Sequence, residues 1–431
     1  MLRLAYDVLN NVIKNGAYAE LALKNALCGE DRETARSVTR LVYTTLENLS
    51  YLDYIIDAYK KGRLHGSVRN ILRLSLARLI FDGVPDYATV NGGAELARNI
   101  GKGELAGYVN GVLRRIARDL ANGRCVELPK DTVKSLSIRC NMPAFMVEEY
   151  LNEYGEEFTR AMLTARIRDL CVRAQYPYTS EELEKELLKE GIPTVRGEYD
   201  ENALRLVGGA NIAETDAFLS GRMTVQSEGA MLACRALRLT DGMRVLDTCA
   251  APGGKTAYIS SLMHATGSIT AFEVHPHRTE LIRQTLARLN VKNCRIETRD
   301  ASLPYDEGKF DAVLCDVPCS GLGGAKPDAS ISKTDADIIE LSGIQQRILL
   351  CAADSVRPGG ALVYSTCTVS KRENADNIRA FLEKRGDFEL DDISGLVKGR
   401  VVGEGPGIGI FPNVHGMDGF YIARLIRKKN R

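Results

Sequence analysis

The sequence predicts an α/β protein in three parts: an all-helical stretch over residues 1–125, a linker with a small α/β domain over 126–215, and a mostly parallel, doubly wound sheet over 216–431. Three observations carry this reading. Apolar residues recur at spacings of three and four through the first quarter of the chain. Prolines at 129, 143, 177 and 193 break the next stretch into short pieces. From about residue 216 the pattern alternates between β-rich runs and helical segments of ten or more residues.

With 431 residues, 45% hydrophobic and 26% charged, the chain has enough apolar surface for a sizeable core and is too long for one ordinary domain. The net charge of +1 excludes a global polyanion-binding signature. The charge is uneven, with 18 basic against 13 acidic residues over 1–125. That surplus points to a nucleic-acid partner, or to ordinary solvated helix faces. The eleven cysteines show no C-x-x-C pair and the five histidines do not cluster with them, so no metal site is expected. No apolar run is long enough to span a bilayer and no leader pattern opens the chain. The expectation is a reduced cytoplasmic protein, off the membrane and monomeric.

The first part justifies its helices in order. The segment 34–60 places Val38, Leu41, Val42, Thr45, Leu49, Leu52, Ile55, Ile56 and Tyr59 on one helical face. Segments 4–13, 68–82, 88–100 and 105–121 behave similarly, with Gly83, Pro85 and Gly101 as punctuation. In the middle part, EELEKELLKEG (181–191) is a helix ended by Gly191, flanked by short β-like runs at 170–176 and 203–207. The last part offers strands at 243–248, 268–274, 294–300, 310–316 and 360–366. In such sheets ligands bind outside the carboxyl ends of the strands.

The loop DTCAAPGGKTAYIS (247–260) follows the first of these strands and opens a helix. A phosphate-binding Walker loop would need glycine at 249, where Cys249 stands, and no G-x-G-x-x-G run is present. Glu273 ends the next strand, at the place where an acid accepts hydrogen bonds from ribose hydroxyls. Asp247, Asp300 and Asp316 end the first, third and fourth strands. Four acids on one rim repel a phosphate-rich ligand, but suit a ribose, an adenine amine and a cationic centre. S-adenosylmethionine has all three. Each acid taken singly could instead cap the helix that follows it.

Cys319 in DVPCSG and Cys367 in YSTC each follow a strand end on this rim, whereas most of the other cysteines read as small buried hydrophobes. A thiol has a use there. Carbon 5 of cytosine is too weak a nucleophile to take a methyl group directly. A thiolate added to carbon 6 converts the ring to an enamine-like species that attacks at carbon 5, and the thiolate leaves again after a base removes the carbon-5 proton. Asp316 could hydrogen-bond the exocyclic amine and ring nitrogen 3, and the base must leave any helical stack to reach the pocket. Spacing alone does not tell the two thiols apart. Lys255 could lie near the base or serve only to pack the loop.

The motifs CAAPGGKT (249–256), DVPCSG (316–321), YSTCTVSKREN (364–374) and DGFYIARL (418–425) resemble those of the RsmB/Sun (Fmu) family of RNA cytosine-5 methyltransferases, enzymes of bacterial 16S ribosomal RNA. NGAYAELAL (15–23), VTRLVYTTL (38–46), ILRLSLARLIF (71–81), VPDYATVN (84–91) and YVNGVLRRIAR (108–118) resemble the NusB-type RNA-binding domain fused to these enzymes. The resemblance implies a Rossmann-like class I methyltransferase domain behind a NusB-like one, acting on 16S rRNA. It implies Cys367 as nucleophile and Cys319 as the thiol that assists release. It places the cofactor S-adenosylmethionine on Cys249, Ala250, Ala251, Pro252, Gly253, Gly254 and Lys255, with Glu273, Asp300 and Asp316. The chain departs from the family pattern in three places. GLGGAKPDAS (321–330) lacks a paired arginine, VRAQ (172–175) stands for Arg-Val-Asn, and Glu273 stands for the more usual Asp. Transfer RNA as substrate and a purely RNA-binding role are the competing readings. The tail RLIRKKNR (424–431) is a candidate phosphate contact, or is merely solvated.

Overall fold

The computed structural model describes residues 1–431 except 125, 168, 209–210, 307, 324–332, 404 and 430–431. The described residues form two compact units, one over Met1–Thr164 and one holding nearly everything from Ala165 onward.

The first unit is all helix. Its core is drawn from residues between Ala5 and Ile116, among them Leu9, Leu41, Val42, Leu52, Ile71, Leu74, Val109 and Leu113. The expected long face over 34–60 is two helices, Arg32–Glu47 and Leu49–Tyr59, interrupted at Asn48. Asp31 caps the first by accepting from the backbone N–H groups of Glu33 and Thr34, both at 2.9 Å. The unit also runs past residue 125, through helices Thr132–Cys140, Ala144–Tyr154 and Glu156–Thr164. The buried Asn141 ties this extension down, donating to the Leu46 carbonyl at 2.9 Å and accepting from the Ser50 amide at 3.1 Å. Proline count alone suggested a linker here; Pro143 instead stands at a helix start, directly before Ala144–Tyr154.

The second unit opens with a small antiparallel sheet of β1 (Cys171–Ala174), β2 (Thr194–Arg196), β3 (Ala203–Leu206) and β4 (Met223–Val225), in the order β2-β3-β1-β4. Val172, Leu204, Leu206 and Met223 pack on Leu183 and Leu187 of helix Ser180–Lys189. β4 lies beyond residue 215, so this sheet crosses the boundary that composition suggested.

The main sheet follows: β5 (Arg244–Asp247), β6 (Ser268–Glu273), β7 (Cys294–Thr298), β8 (Phe310–Asp316), β9 (Val356–Thr366), β10 (Phe388–Asp391), β11 (Ile408–Ile410) and β12 (Phe420–Arg427). Its order is β10-β12-β9-β8-β5-β6-β7, with β11 pairing β12. β6, β7, β8 and β9 join β5 in parallel pairs, while β12 runs antiparallel to β9, β10 and β11. The five predicted strands are the parallel ones. Strand order reverses between β5 and β8, the switch point at which such sheets open a crevice. β9 is buried from Ala361 to Thr366, as expected of a strand covered on both faces.

The three strands the sequence reading did not mark include β12, which takes in the first half of the basic tail. Arg424 pairs with Asp391, and Arg427 donates to the Val356 carbonyl at 2.7 Å and lies 3.3 Å from Asp387. These guanidiniums lock the sheet and are not a loose phosphate-binding tail. No helix among the described residues is long and apolar enough to cross a membrane, and no cluster of metal-ligating side chains is found among them.

Candidate active site

Every acid named from the sequence stands at the carboxyl end of the parallel strands. Asp247 closes β5, Glu273 closes β6 and Asp316 closes β8, while Asp300 follows the end of β7 by two residues. Asp247 is fully buried and accepts from Thr256 Oγ1 at 2.7 Å. Burial raises its pKa to about 6, against the opposing pull of the Thr256 hydrogen bond. Glu273 accepts from the His275 amide at 3.0 Å and lies 3.4 Å from the Arg278 guanidinium. Asp300 accepts from the Ser302 amide at 2.8 Å.

The loop from Cys249 to Lys255 turns across this edge. Gly253 has φ +104°, a backbone conformation that side chains rarely adopt, and a Cβ there would approach Thr285 to 3.3 Å. Helix Gly254–Leu262 starts immediately after it. Cys249, Ala250, Ala251, Pro252, Gly254 and Lys255 line a cavity of about 200 Å³ together with Gln226 and Asp316. Glu273 and Asp300 lie outside that lining, farther along the same sheet edge.

Asp316 is gripped from two sides. Ser365 Oγ donates to Oδ1 at 2.8 Å, and Lys255 Nζ lies 2.7 Å from Oδ2. Burial alone would lower the Lys255 ammonium; the Asp316 charge outweighs it and holds the lysine protonated, well above its usual range. Nζ also lies 5.6 Å from the centre of the Phe420 ring.

The two thiols meet. Cys319 Sγ and Cys367 Sγ are 3.2 Å apart, and both are free cysteines. Hydrogen bonding to Cys367 and burial push the Cys319 thiol well above its ordinary pKa. Either sulfur could donate across this contact. The Cys367 charge is also felt at the Lys255 ammonium. The geometry brings the two sulfurs together.

Several residues of the site carried no sequence signal that reasoning used. Glu373 is fully buried and accepts from the Ser320 amide at 2.9 Å, the Ser320 hydroxyl at 2.6 Å and Gln345 Nε2 at 2.9 Å. It thereby pins the turn carrying Cys319 to the turn carrying Cys367. Gln345 also donates to the Pro318 carbonyl at 2.9 Å. Glu373 stands in the quoted YSTCTVSKREN run, where Lys371 and Arg372 directly before it make it read as an ordinary charged surface residue. Lys326, Pro327 and Asp328 of the departing GLGGAKPDAS segment lie outside the described residues.

The family model for 16S rRNA methyltransferases RsmB/F matches residues 234–426, and that for the NusB family matches residues 2–118. The chain is 34% identical over 443 residues to the "Probable ribosomal RNA small subunit methyltransferase B" of Bacillus subtilis, covering 99% of this chain and 98% of that one. The chain belongs to the RsmB/F family of 16S rRNA methyltransferases. A second member, ribosomal RNA small subunit methyltransferase B of Xanthomonas campestris, is 30% identical across 98% of this chain and 96% of its own. Among solved structures, that of PH0851 superposes with a TM-score of 0.83 at 25% identity, covering 99% of this chain and 98% of that one. RsmB/F enzymes draw their methyl group from S-adenosylmethionine, and the residues present fit it. The loop glycines leave the approach open, since a Cβ on Gly254 would meet nothing within 4 Å. The Gln226 side-chain nitrogen, on the cavity wall, is buried without a protein partner. The acids and the Gln226 donor together match a ligand that carries hydroxyls, an amine and a carboxylate.

Proposed function

We propose that this RsmB/F enzyme methylates carbon 5 of a cytosine in 16S ribosomal RNA, through a covalent bond from Cys367 to carbon 6 of the base. The observation that carries the reading is the 3.2 Å approach of the two sulfurs beside the Lys255–Asp316 pair. The cofactor, when bound, supplies an electrophilic methyl group. The side chains do the rest. Cys367 Sγ, ionised while Cys319 holds its proton, adds to carbon 6, and the ring electrons become available at carbon 5. Asp316 accepts from the exocyclic amine, and Lys255 supplies positive charge where the ring gathers electrons. Once the methyl is on carbon 5, the proton there is removed, the ring double bond re-forms and the carbon–sulfur bond breaks, returning Cys367 as a thiolate. Cys319 assists this release: once Cys367 is bonded to carbon 6 its neighbouring charge is gone, so Cys319 gives its proton to solvent and then, as the thiolate, takes the proton from carbon 5. The NusB-like unit supplies RNA contacts, and the substrate places the enzyme in the cytoplasm. Cys249 through Gly254, Glu273 and Asp300 hold the cofactor.

The test uses two variants with substrate RNA and cofactor. Cys367→Ala abolishes methyl transfer, by a thousandfold or more on the scale of lost covalent catalysts, and forms no adduct. Cys319→Ala accumulates a covalent protein–RNA species, seen as a slow band on a denaturing gel. Residual transfer by the first variant, or absence of the band with the second, rejects the assignment. Bisulfite sequencing of rRNA from a strain lacking the enzyme identifies the cytosine.

A further inference from the structure

Arg173 is the largest fully buried side chain among the described residues, and its role lies outside the chemistry above. It sits in β1 of the small sheet, in the VRAQ run that departs from the family pattern. Its guanidinium donates to Gln226 Oε1 at 2.5 Å, Gln175 Oε1 at 2.7 Å, the Ala174 carbonyl at 3.1 Å and the Gly254 carbonyl at 3.2 Å. It also lies 4.8 Å from the centre of the Tyr258 ring.

An arginine can only donate. The side-chain oxygen of Gln226 must therefore face it, and the amide cannot flip. Gln226 is 6% exposed and its Nε2 has no partner, yet the residue lines the cavity under the Cys249–Lys255 loop. A buried NH₂ group without an acceptor costs on the order of 1–3 kcal/mol. Such a group is kept where a ligand oxygen completes it. Beside it the amino terminus of helix Gly254–Leu262 favours a negative charge. Asp316, the one acid on the cavity wall, is neutralised by Lys255 at 2.7 Å. The wall is thus a donor set with no free anion.

We propose that Gln226 Nε2 donates to the carboxylate of the amino-acid arm of S-adenosylmethionine, and that Arg173 is the positioning residue that aims it. The small sheet is then part of the cofactor site. The inference rests on the cofactor occupying this cavity.

The experiment is calorimetry with two probes. S-adenosylhomocysteine carries the carboxylate; 5′-methylthioadenosine lacks it. Gln226→Glu keeps the oxygen that Arg173 holds and turns a second oxygen toward the ligand. It weakens S-adenosylhomocysteine by tenfold or more, the scale of one charge-assisted hydrogen bond lost, and leaves 5′-methylthioadenosine within twofold. Gln226→Met, which removes the donor without adding a charge but also removes the oxygen that Arg173 holds, shows the same selective loss of S-adenosylhomocysteine at a smaller magnitude and serves as the uncharged second variant. Equal weakening of both probes means a collapsed loop and overturns the proposal. Unchanged affinities with a raised KM for RNA mean that Gln226 reads the base, and overturn it too. Failure of the unaltered enzyme to bind S-adenosylhomocysteine would instead remove the cofactor from this cavity, a result the variants do not produce.

Discussion

Two sulfurs 3.2 Å apart do not both ionise, because the second charge would sit against the first. The pair therefore holds at most one negative charge before substrate arrives. A comparable economy governs Asp247. Its pKa of about 6 lies above the carboxylate value of about 3.9 in an unfolded chain, so the folded state binds more protons between those limits. Its contribution to stability is full below about pH 3.9 and is lost as pH rises through about 6. Asp247→Asn should remove that dependence: the melting temperature of the variant, relative to the parent, should climb between pH 4 and 6 and level off above pH 7. A flat difference across that window would mean that Asp247 is ionised with adequate partners. At this scale the strand-end acids and the two thiols were legible, since strand boundaries locate them. The partners of those groups were not. Ser365, Glu373, Arg173 and Gln226 act through contacts with residues between 49 and 81 positions away, and spacing in one chain does not report such pairs.

Elements hold the site by backbone as well as by side chains. The Gly419 amide donates to the Gly323 carbonyl at 2.5 Å, and the Gly323 amide to the Cys367 carbonyl at 3.1 Å. The segment entering β12 thus touches the turn after Cys319, which touches Cys367 itself. A Cβ on Gly419 would fall 2.2 Å from the Gly323 oxygen and 2.7 Å from Val369 Cγ1. Gly419→Ala should therefore part the two thiol-bearing turns. The expected result is a hundredfold loss of kcat, in line with a displacement of about 1 Å at a reacting group, with S-adenosylhomocysteine affinity kept within threefold. Loss of cofactor binding in step with kcat would show that the whole sheet edge had moved. The parallel strands were readable because each is a short apolar run bounded by turns. β12 was not read as a strand because it is rich in arginine, yet its guanidiniums are satisfied by Asp391, Asp387 and the Val356 carbonyl.

Over the whole chain, each unit has its own core: that of the first is drawn from residues between Ala5 and Ile116. The fold class followed from periodicity, whereas the unit boundary at Thr164 did not, because helices Thr132–Cys140 and Ala144–Tyr154 are short and interrupted by Pro143. A chain starting at Ala165 should bind S-adenosylhomocysteine within threefold of the full protein by calorimetry. Its KM for ribosomal RNA should rise at least tenfold, through loss of the basic surplus over 1–125. An unchanged KM would put RNA recognition wholly in the second unit. The position of β12 has a further consequence, in time. It is the last strand of the chain, yet it lies between β9 and β10, with Tyr421 beside Thr366, the neighbour of Cys367. On a growing chain β9 and Cys367 are therefore made before the strand that flanks them. Cys367 gains this antiparallel neighbour only once residues 420–427 have been made and have folded back against β9.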